Sequence, residues 1–248
     1  QGPGLNPCLI AGRDFAIELS KENEIPLIGV NHIAGHLEIG KLLTKAKDPV
    51  FVFTSGANTQ IIAHEGKKFR VFGEALSVGL GNALDKFGRA LGLPFPAGPE
   101  IEKLAKKGKY IELPYVVKGM DVEFSGIVTN VIQKYSKGAS KEDLCYSLQE
   151  TGFAMLTEVS ERAVAHTNKK EVLLIGGVAA NQRLCKMMDI MCKERKAKFY
   201  PCPLKYSGDN GVQIAVQGLL EFKHRKDQKD FDIKPRWRID QVDTIWLK

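Results

Sequence analysis

The amino-acid sequence predicts an α/β fold, and three stretches support this. In "EVLLIGGVAANQRL" an apolar strand passes through a glycine-rich turn into a helix, and "AKFYPCPLKYSGDNGVQIAVQGLLEF" repeats that scheme. In "PVFVFTSGANTQIIAHEGKKFRVFGEAL" short apolar runs alternate with Gly turns, which is typical of an antiparallel meander. With 248 residues, 44% of them hydrophobic, the chain suffices for one large domain or two modest ones.

The first third of the chain carries the helix and strand signals of an α/β layer. A helix is predicted from about Leu9 to Leu19, followed by a short buried strand, "IPLIGV", and a helix that contains two histidines. The meander follows. From Gly79 to about Lys107 the pattern is helical, with "GNALDKFGRALGL" and "GPEIEKLAKKG" separated by the loop "PFPAGP".

A less regular stretch, Tyr110 to Phe124, interrupts this pattern. Two amphipathic helices follow, the second of which begins with Ser140 and Asp143 in capping-box-like spacing. The two strand–turn–helix stretches come next, and "IKPRWRIDQVDTIW" is expected to pack on the body. We therefore divide the chain into two interleaved parts of one α/β unit: residues 1–120 with the predicted phosphate and metal region, and residues 121–248.

Charge and composition exclude several classes of protein. No apolar run approaches the roughly 20 residues that span a bilayer, so no membrane partner is expected. Five cysteines without a C-x-x-C pair indicate free thiols in a reduced, cytoplasmic protein. The net charge of +7 is compatible with a phosphate-rich partner. Two basic clusters are solvated faces or contacts for such a partner: Lys103, Lys106, Lys107 and Lys109, and Lys223 to Lys229.

The stretch "GVNHIAGHLEIG" places His32 and His36 four residues apart. On a helix this spacing puts both imidazoles on one face, so they could bind one metal ion. The alternative is that one histidine packs or caps while the other faces water. The pair is not the zinc-protease motif, because Ile33 stands where that motif has its glutamate.

Two glycine-rich turns, "TSGANT" and "IGGVAAN", directly follow apolar strands, and such turns let backbone N–H groups approach phosphate or adenine. Together with the meander they suggest the actin/Hsp70/sugar-kinase architecture, with nucleotide bound between two related halves. Asp85, Glu102 and Asp209 lie near glycines, where carboxylates can bind ribose hydroxyls or a cation. For Asp209 the alternative is an ordinary helix N-cap.

Ten motifs in order resemble one family over almost the whole chain. They are "QGPGL", "GVNHIAGHLEIG", "TSGANTQIIAH", "FGEAL", "GNALDKFGR", "LPFPAGPEIEKLA", "LPYVVKGMDVEFSG", "CYSLQE", "ERAVAHTNKKEVLLIGGVAANQRL" and "SGDNG". The chain resembles the TsaD-like threonylcarbamoyl transferases, in the form that is the catalytic subunit of the KEOPS complex. The resemblance implies transfer of threonylcarbamoyl from threonylcarbamoyl-AMP to N6 of the adenosine 3′ to the tRNA anticodon, and an actin/Hsp70-like (ASKHA) nucleotide-binding fold.

The resemblance also implies binding roles for particular residues, but it assigns no catalytic residue. One divalent ion, iron or zinc, would be bound by His32, His36 and Asp209. The threonylcarbamoyl-AMP or ATP-type nucleotide would contact a phosphate and carbamoyl loop, ribose-side residues and an adenine-side residue: Phe53, Thr54, Ser55, Gly56, Ala57; Asp85, Gly98, Glu102; and Asn181. The implied partners are tRNA and KEOPS-type subunits, namely a small dimerising subunit and a Bud32-like kinase.

Three departures from the family pattern favour a second hypothesis. Phe53 replaces a tyrosine that binds metal in some members, and Ala57 replaces the second glycine of S-G-G-N-T. The family's first phosphate hairpin, strand and helix have no counterpart ahead of "QGPG", so we expect an ASKHA fold with its N-terminal part truncated: either the chain is a fragment, or a separate polypeptide supplies that lobe. The alternatives are a non-catalytic scaffold or tRNA-binding paralogue, and an actin-like ATPase that would not need His32 and His36.

Overall fold

The protein, seen in a computed structural model that describes residues 1–224 and 228–247, is built around one mixed sheet. Its five strands lie in the order β3-β2-β1-β6-β7. Strands β1 (Val50–Thr54), β2 (Thr59–Glu65) and β3 (Lys68–Glu74) form the predicted antiparallel meander. Strands β6 (Glu171–Ile175) and β7 (Lys198–Pro201) add to β1 in parallel. The α/β class predicted from the sequence is confirmed.

The central strands have both faces covered, as expected for the parallel part of such a sheet. All five residues of β1, "VFVFT", are buried. One core cluster joins Val50 and Val52 to the helices on one side of the sheet, and a second joins Phe51 and Phe53 to the opposite side. Period-two alternation in β1 therefore sends alternate side chains into two different cores.

Nine α-helices lie within the described ranges. Their bounds are α1 Asn6–Glu22, α2 His32–Thr44, α3 Leu80–Ala90, α4 Gly98–Ala105, α5 Ser125–Ser136, α6 Lys141–Thr167, α7 Gln182–Glu194, α8 Leu204–Ser207 and α9 Gly211–Phe222. The predicted helices all form. Ser140 caps α6 by accepting a hydrogen bond from the N–H of Asp143, at the predicted position.

The predicted strand "IPLIGV" is wrong. Residues 25–30 are extended but pair with no strand of the described chain, and the nearest ladder contact is one isolated bridge between Gly2 and Asn31. Ile25 is exposed. A short apolar run becomes a strand only where a neighbouring strand takes up its backbone hydrogen bonds.

The irregular stretch between α4 and α5 contains a small hairpin, β4 (Val117–Lys118) and β5 (Asp121–Val122). The main sheet takes β1–β3 and β6–β7 from opposite sides of the predicted boundary at residue 120, so that boundary does not separate two sheets. The C-terminal tail packs on the body as expected, with Ile239 and Val242 buried. Of the second basic cluster, Arg225 and Lys226 lie outside the described residues.

The five cysteines are free thiols, as the sequence predicts. No helix in the described ranges is long and apolar enough to cross a bilayer.

Candidate metal centre and nucleotide cavity

The predicted site residues gather at one edge of the sheet. The parallel strands β1, β6 and β7 end at Thr54, Ile175 and Pro201, and the glycine-rich turns and the Asp209 segment follow those ends. In α/β folds, ligands bind at the carboxyl edge of the parallel strands, where loops from several strands meet.

Helix α2 begins in a way that directs both histidines to one place. Asn31 caps the helix, because its side-chain oxygen accepts hydrogen bonds from the N–H groups of Ile33 and Ala34. His32 is therefore the first helical residue and His36 lies one turn later on the same face. Their ring centroids are 4.8 Å apart.

Asp209 completes a three-residue cluster. Its Oδ1 lies 3.0 Å from Nε2 of His36 and 3.3 Å from Nε2 of His32, and one donor atom from each of the three residues lies within 4.8 Å of the others. The alternative N-cap role for Asp209 is wrong, because Asn210 caps α9 by accepting from the N–H of Gln213 at 3.0 Å. Asp209 is thereby left free to face the histidines.

Burial and hydrogen bonding set the charges in this cluster. His36 is 1% exposed, and burial lowers its pKa, which favours the neutral imidazole with a lone pair. Hydrogen bonds to His32 and His36 hold the pKa of the Asp209 carboxyl well below its usual range. Two imidazole nitrogens and one carboxylate oxygen are donors of the kind that iron or zinc binds. The residues present therefore fit a divalent metal ion.

Phe53 packs against the cluster and is not among the residues that line the cavity described below. It is 1% exposed, and its ring centroid lies 5.0 Å from that of His36. Nδ1 of His36 is buried and has no hydrogen-bond partner in the described chain. A metal ion bound at Nε2 would move the ring proton to Nδ1, where metal-binding histidines usually have an orienting acceptor; in the described chain the ring packs on Phe53 instead.

The turn after β1 links the cluster to a cavity. It is closed by a hydrogen bond of 2.8 Å from the N–H of Ser55 to the carbonyl of Asn58, and the N–H of Asn82 on α3 donates to the carbonyl of Gly56 at 2.8 Å. Phe53 packs on His36 of the metal cluster, and Gly56 lines the cavity. Three residues of chain span at most about 10 Å, so the cluster and the cavity lie close together.

Gly176 brings the second glycine-rich turn against the first. Its φ is +107°, and a Cβ there would lie 2.4 Å from the carbonyl oxygen of Thr54. A glycine is required at this crossing. The hydroxyl of Thr54 itself is buried and donates to the carbonyl of Ile175 at 3.3 Å, so it points toward β6.

The cavity has a volume of about 310 Å³. Apolar side chains form much of its wall, while the predicted ribose-side and adenine-side residues contribute polar groups. Its lining includes Gly56, Leu84, Asp85, Phe95, Pro96, Gly98, Glu102, Val178 and Asn181. The structure thus brings Asp85, Gly98, Glu102 and Asn181 together around one cavity, as the sequence predicts. Ala57 is exposed and does not line it.

These polar residues also hold the fold together. Asn181 caps α7 through the N–H groups of Arg183 and Leu184, and its amide donates to Gln149 Oε1 at 2.6 Å. Oε1 of Glu102 accepts from the N–H of Gln182 at 2.9 Å. Asp85 Oδ1 accepts from the N–H of Ala97 at 2.7 Å. From the sequence alone we expect Asn181→Ala to leave stability nearly unchanged, whereas these contacts predict a loss of stability.

The family model for TsaD, tRNA N6-adenosine threonylcarbamoyltransferase, matches residues 1–216. The chain belongs to the TsaD family. It is 52% identical to a "tRNA N6-adenosine threonylcarbamoyltransferase" of Methanocella arvoryzae over 252 residues, covering 100% of this chain and 77% of that relative. It is 51% identical to a "Probable bifunctional tRNA threonylcarbamoyladenosine biosynthesis protein" of Methanocaldococcus jannaschii over 251 residues, covering 100% of this chain and 47% of that relative. The chain thus spans about half the length of the bifunctional relative.

Among solved structures, full-length HypF in its phosphate- and nucleotide-bound form matches 84% of this chain and 45% of its own. The TM-score is 0.66 at 13% identity, which shows the fold alone. The activator of the 2-hydroxyisocaproyl-CoA dehydratase from Clostridium difficile also matches in fold, with a TM-score of 0.51 at 13% identity over 82% of this chain and 72% of its own.

Sequence reasoning missed several residues that build the TsaD-family site. Asn31 caps the helix that carries the two histidines, Asn210 caps the helix that follows Asp209, and Gln149 fixes Asn181 from α6. Asparagine just before an apolar helix was an available signal for the first two. Gln149 had none, because its contact joins residues 32 positions apart.

Proposed function

We propose that this chain transfers threonylcarbamoyl from threonylcarbamoyl-AMP to N6 of the adenosine 3′ to the tRNA anticodon, as the catalytic subunit of a KEOPS-type complex. One observation carries the proposal beyond family membership. A three-donor metal cluster and a nucleotide-sized cavity lie at the same edge of one sheet, joined by the turn from Phe53 to Ala57. An actin-like ATPase would need the cavity but not the two histidines.

The cavity is the proposed site for the adenosine part of the adenylate. Leu84, Pro96 and Val178 offer apolar surface to the base. The carboxylates of Asp85 and Glu102 each hold one backbone N–H and have a second oxygen to offer to ribose hydroxyls. Backbone groups of the Ser55–Ala57 turn would face the phosphate and carbamoyl end, since that turn leads toward the metal cluster.

His32, His36 and Asp209 would hold one iron or zinc ion. When bound, such an ion supplies a Lewis acid and a template for the phosphate-side oxygens of the adenylate. The chain's own residues orient the donors: Asn31 and Asn210 cap the helices that place them, and Phe53 packs on His36. His32 and Asp209 are accessible from solvent, which supports substrate approach from that side.

The tRNA would approach over α4. Glu102 of this helix lines the cavity, whereas Lys103, Lys106, Lys107 and Lys109 lie on exposed positions at and beyond its C-terminal end. Such lysines could bind the phosphates that flank the target adenosine. The proposed protein partners are a small dimerising subunit and a Bud32-like kinase, and the proposed location is the cytoplasm.

The decisive experiment follows transfer of labelled threonylcarbamoyl from the adenylate to tRNA, with and without these partners. We expect transfer by the assembled complex and little by this chain alone. A complex that contains the Asp209→Ala variant is the control for a metal-dependent reaction. Binding of tRNA without transfer in every assembly would favour the scaffold alternative, and robust turnover by the isolated chain would contradict the need for partners.

The lysine cluster has its own test, the salt dependence of tRNA binding. The double variant Lys103→Glu, Lys107→Glu should bind tRNA more weakly, and its log K against log salt should be flatter by about 0.7 for each lost single-strand phosphate contact. Nucleotide affinity should be unchanged. An unaltered salt slope would remove these lysines from the tRNA surface.

A further inference from the structure

Phe95 lies in the loop between α3 and α4, at the rim of the proposed nucleotide cavity. Its exposed fraction is 83%, the highest among the exposed large hydrophobic side chains of the described residues. A single exposed apolar side chain is ordinary in soluble proteins. What sets Phe95 apart is its position and the way its loop is held.

The backbone on both sides of Phe95 is anchored. On one side, the N–H of Leu93 donates to the carbonyl of Gly88 at 2.9 Å. On the other, Ala97 is 2% exposed, packs on Gly88, and donates its N–H to Asp85. The loop therefore presents the Phe95 ring to solvent from a fixed base, beside a residue of the cavity wall.

The segments on either side of this loop are basic in sequence, although Lys103 is paired with Glu100 at 3.6 Å. Between residues 85 and 109 the chain has six cations and three carboxylates. Two of the carboxylates, Asp85 and Glu102, line the cavity and accept backbone N–H groups. The cations flank the loop on exposed positions of α3 and of the α4 segment: Lys86, Arg89, Lys103, Lys106, Lys107 and Lys109.

The geometry points to Phe95 as a stacking platform for a tRNA anticodon-loop base next to the target adenosine. This inference rests on the proposed tRNA substrate and deepens it. Proteins read single-stranded RNA loops by stacking unpaired bases on aromatic side chains, while nearby cations bind the phosphates. The adenylate base is a poorer occupant, because the cavity already offers apolar walls and Phe95 projects beyond them.

The first experiment measures binding of an anticodon stem-loop RNA to the full chain. Phe95→Leu keeps apolar bulk but removes the aromatic face, so we expect affinity to fall about 5- to 100-fold, the range for loss of one stacked base. Phe95→Tyr should bind like the wild type. Phe15→Leu is the matched control, because Phe15 is also exposed but lies on α1, away from the cavity.

Two further readouts separate stacking from charge and from folding. The slope of log K against log salt should be the same for wild type and Phe95→Leu, since no phosphate contact is lost. A 2-aminopurine placed beside the target adenosine should be quenched on saturating wild-type chain, and less so on Phe95→Leu.

Three results would overturn the inference, and they differ in what they leave standing. Equal RNA affinity of Phe95→Leu and wild type would remove the platform but not the proposed reaction. A variant that loses affinity for ATP or AMP instead of RNA would place the ring in the nucleotide subsite. If the wild-type chain, with its partners, binds no stem-loop at all, both the platform and the tRNA reaction fail.

Discussion

The metal cluster and the nucleotide cavity lie at the same sheet edge but are built differently. In the cluster, His32 and His36 both contact the carboxylate of Asp209, and their rings pack edge to face. In the cavity, the side chains of Asp85, Glu102 and Asn181 each accept a hydrogen bond from a backbone N–H at the start of a helix. Cluster residues are thus available for a ligand, whereas cavity residues have a structural contact to keep.

This difference changes what a substitution should do. Removing His32 or Asp209 takes away a ligand but leaves the helices capped, since Asn31 and Asn210 do the capping. Removing His36 also empties a buried position beside Phe53 and should cost some stability. Removing a cavity residue leaves a backbone group or an amide without its partner, which costs stability whether or not nucleotide is present. Metal content and unfolding free energy therefore separate the two regions.

The largest effect is expected from the double variant His32→Ala, His36→Ala. It removes two of three ligands, so metal affinity should fall by more than about 100-fold, given that loss of outer-sphere partners alone costs about 10- to 100-fold. Elemental analysis of protein purified without chelator measures this. His166→Ala, which changes an exposed histidine on α6, should retain the metal. A double variant with wild-type metal content would show that the pair is structural.

The next effect is on stability and belongs to the cavity. Asn181→Ala should lower the unfolding free energy by about 2 kcal/mol, because it removes an N-cap and leaves the Gln149 carbonyl without its donor. Urea unfolding measures it. Asn181→Asp keeps the capping acceptor and should lose less. If Asn181→Ala unfolds like the wild type but binds nucleotide more weakly, the contrast between the two regions is broken.

A smaller effect tests the part of the metal cluster that is not on α2. Asn210 holds the Asp209 segment by capping α9 and by donating to the carbonyl of Gly208 at 2.8 Å. Asn210→Ala should reduce metal affinity about tenfold, the lower end for outer-sphere changes. Asn23→Ala, an exposed asparagine at the end of α1, is the control. Unchanged metal affinity in Asn210→Ala would mean that Asp209 needs no cap to stay in place.

The sequence predicted best where the signal was local. The i, i+4 spacing of His32 and His36 and the apolar run of β1 depend on a few neighbouring residues, and both predictions of local structure hold in the fold. Grouping Asp209 with the two histidines required the family resemblance, because 173 positions separate Asp209 from His36 and no local pattern connects them. Their role as ligands stays a prediction.

The misses arose where a second element decides the outcome. Residues 25–30 have the composition of a strand but no strand to pair with among the described residues. The cap considered as the alternative role for Asp209 is the neighbouring Asn210. Asn181 is buried and bonded to Gln149, a partner 32 positions away that the sequence pattern does not reveal. Such partners are set by tertiary packing, which local patterns do not encode.

His64 lies outside both the metal cluster and the cavity, so its titration serves as a reference for them and should have the smallest effect on stability. It lies on β2, and its Nε2 is 3.1 Å from the hydroxyl of Thr244. Burial lowers its pKa, and Lys41 adds to this. As the pH falls below about 6.5, His64 therefore binds a proton in the unfolded chain before it does so in the folded chain. The stability that is present above this pH is lost progressively until the pH reaches the lower pKa of the folded state.

The prediction is a small fall in unfolding free energy between pH 7.5 and 5.5 that His64→Gln reduces, because glutamine does not titrate. This fall in unfolding free energy should persist when the protein is loaded with metal, since His64 lies outside the His32–His36–Asp209 cluster. Any acid sensitivity that metal removes belongs to the cluster instead. Urea unfolding at both pH values, with and without metal, separates the two contributions. If His64→Gln and wild type lose the same free energy in acid, then another group titrates, and His64 cannot serve as the reference.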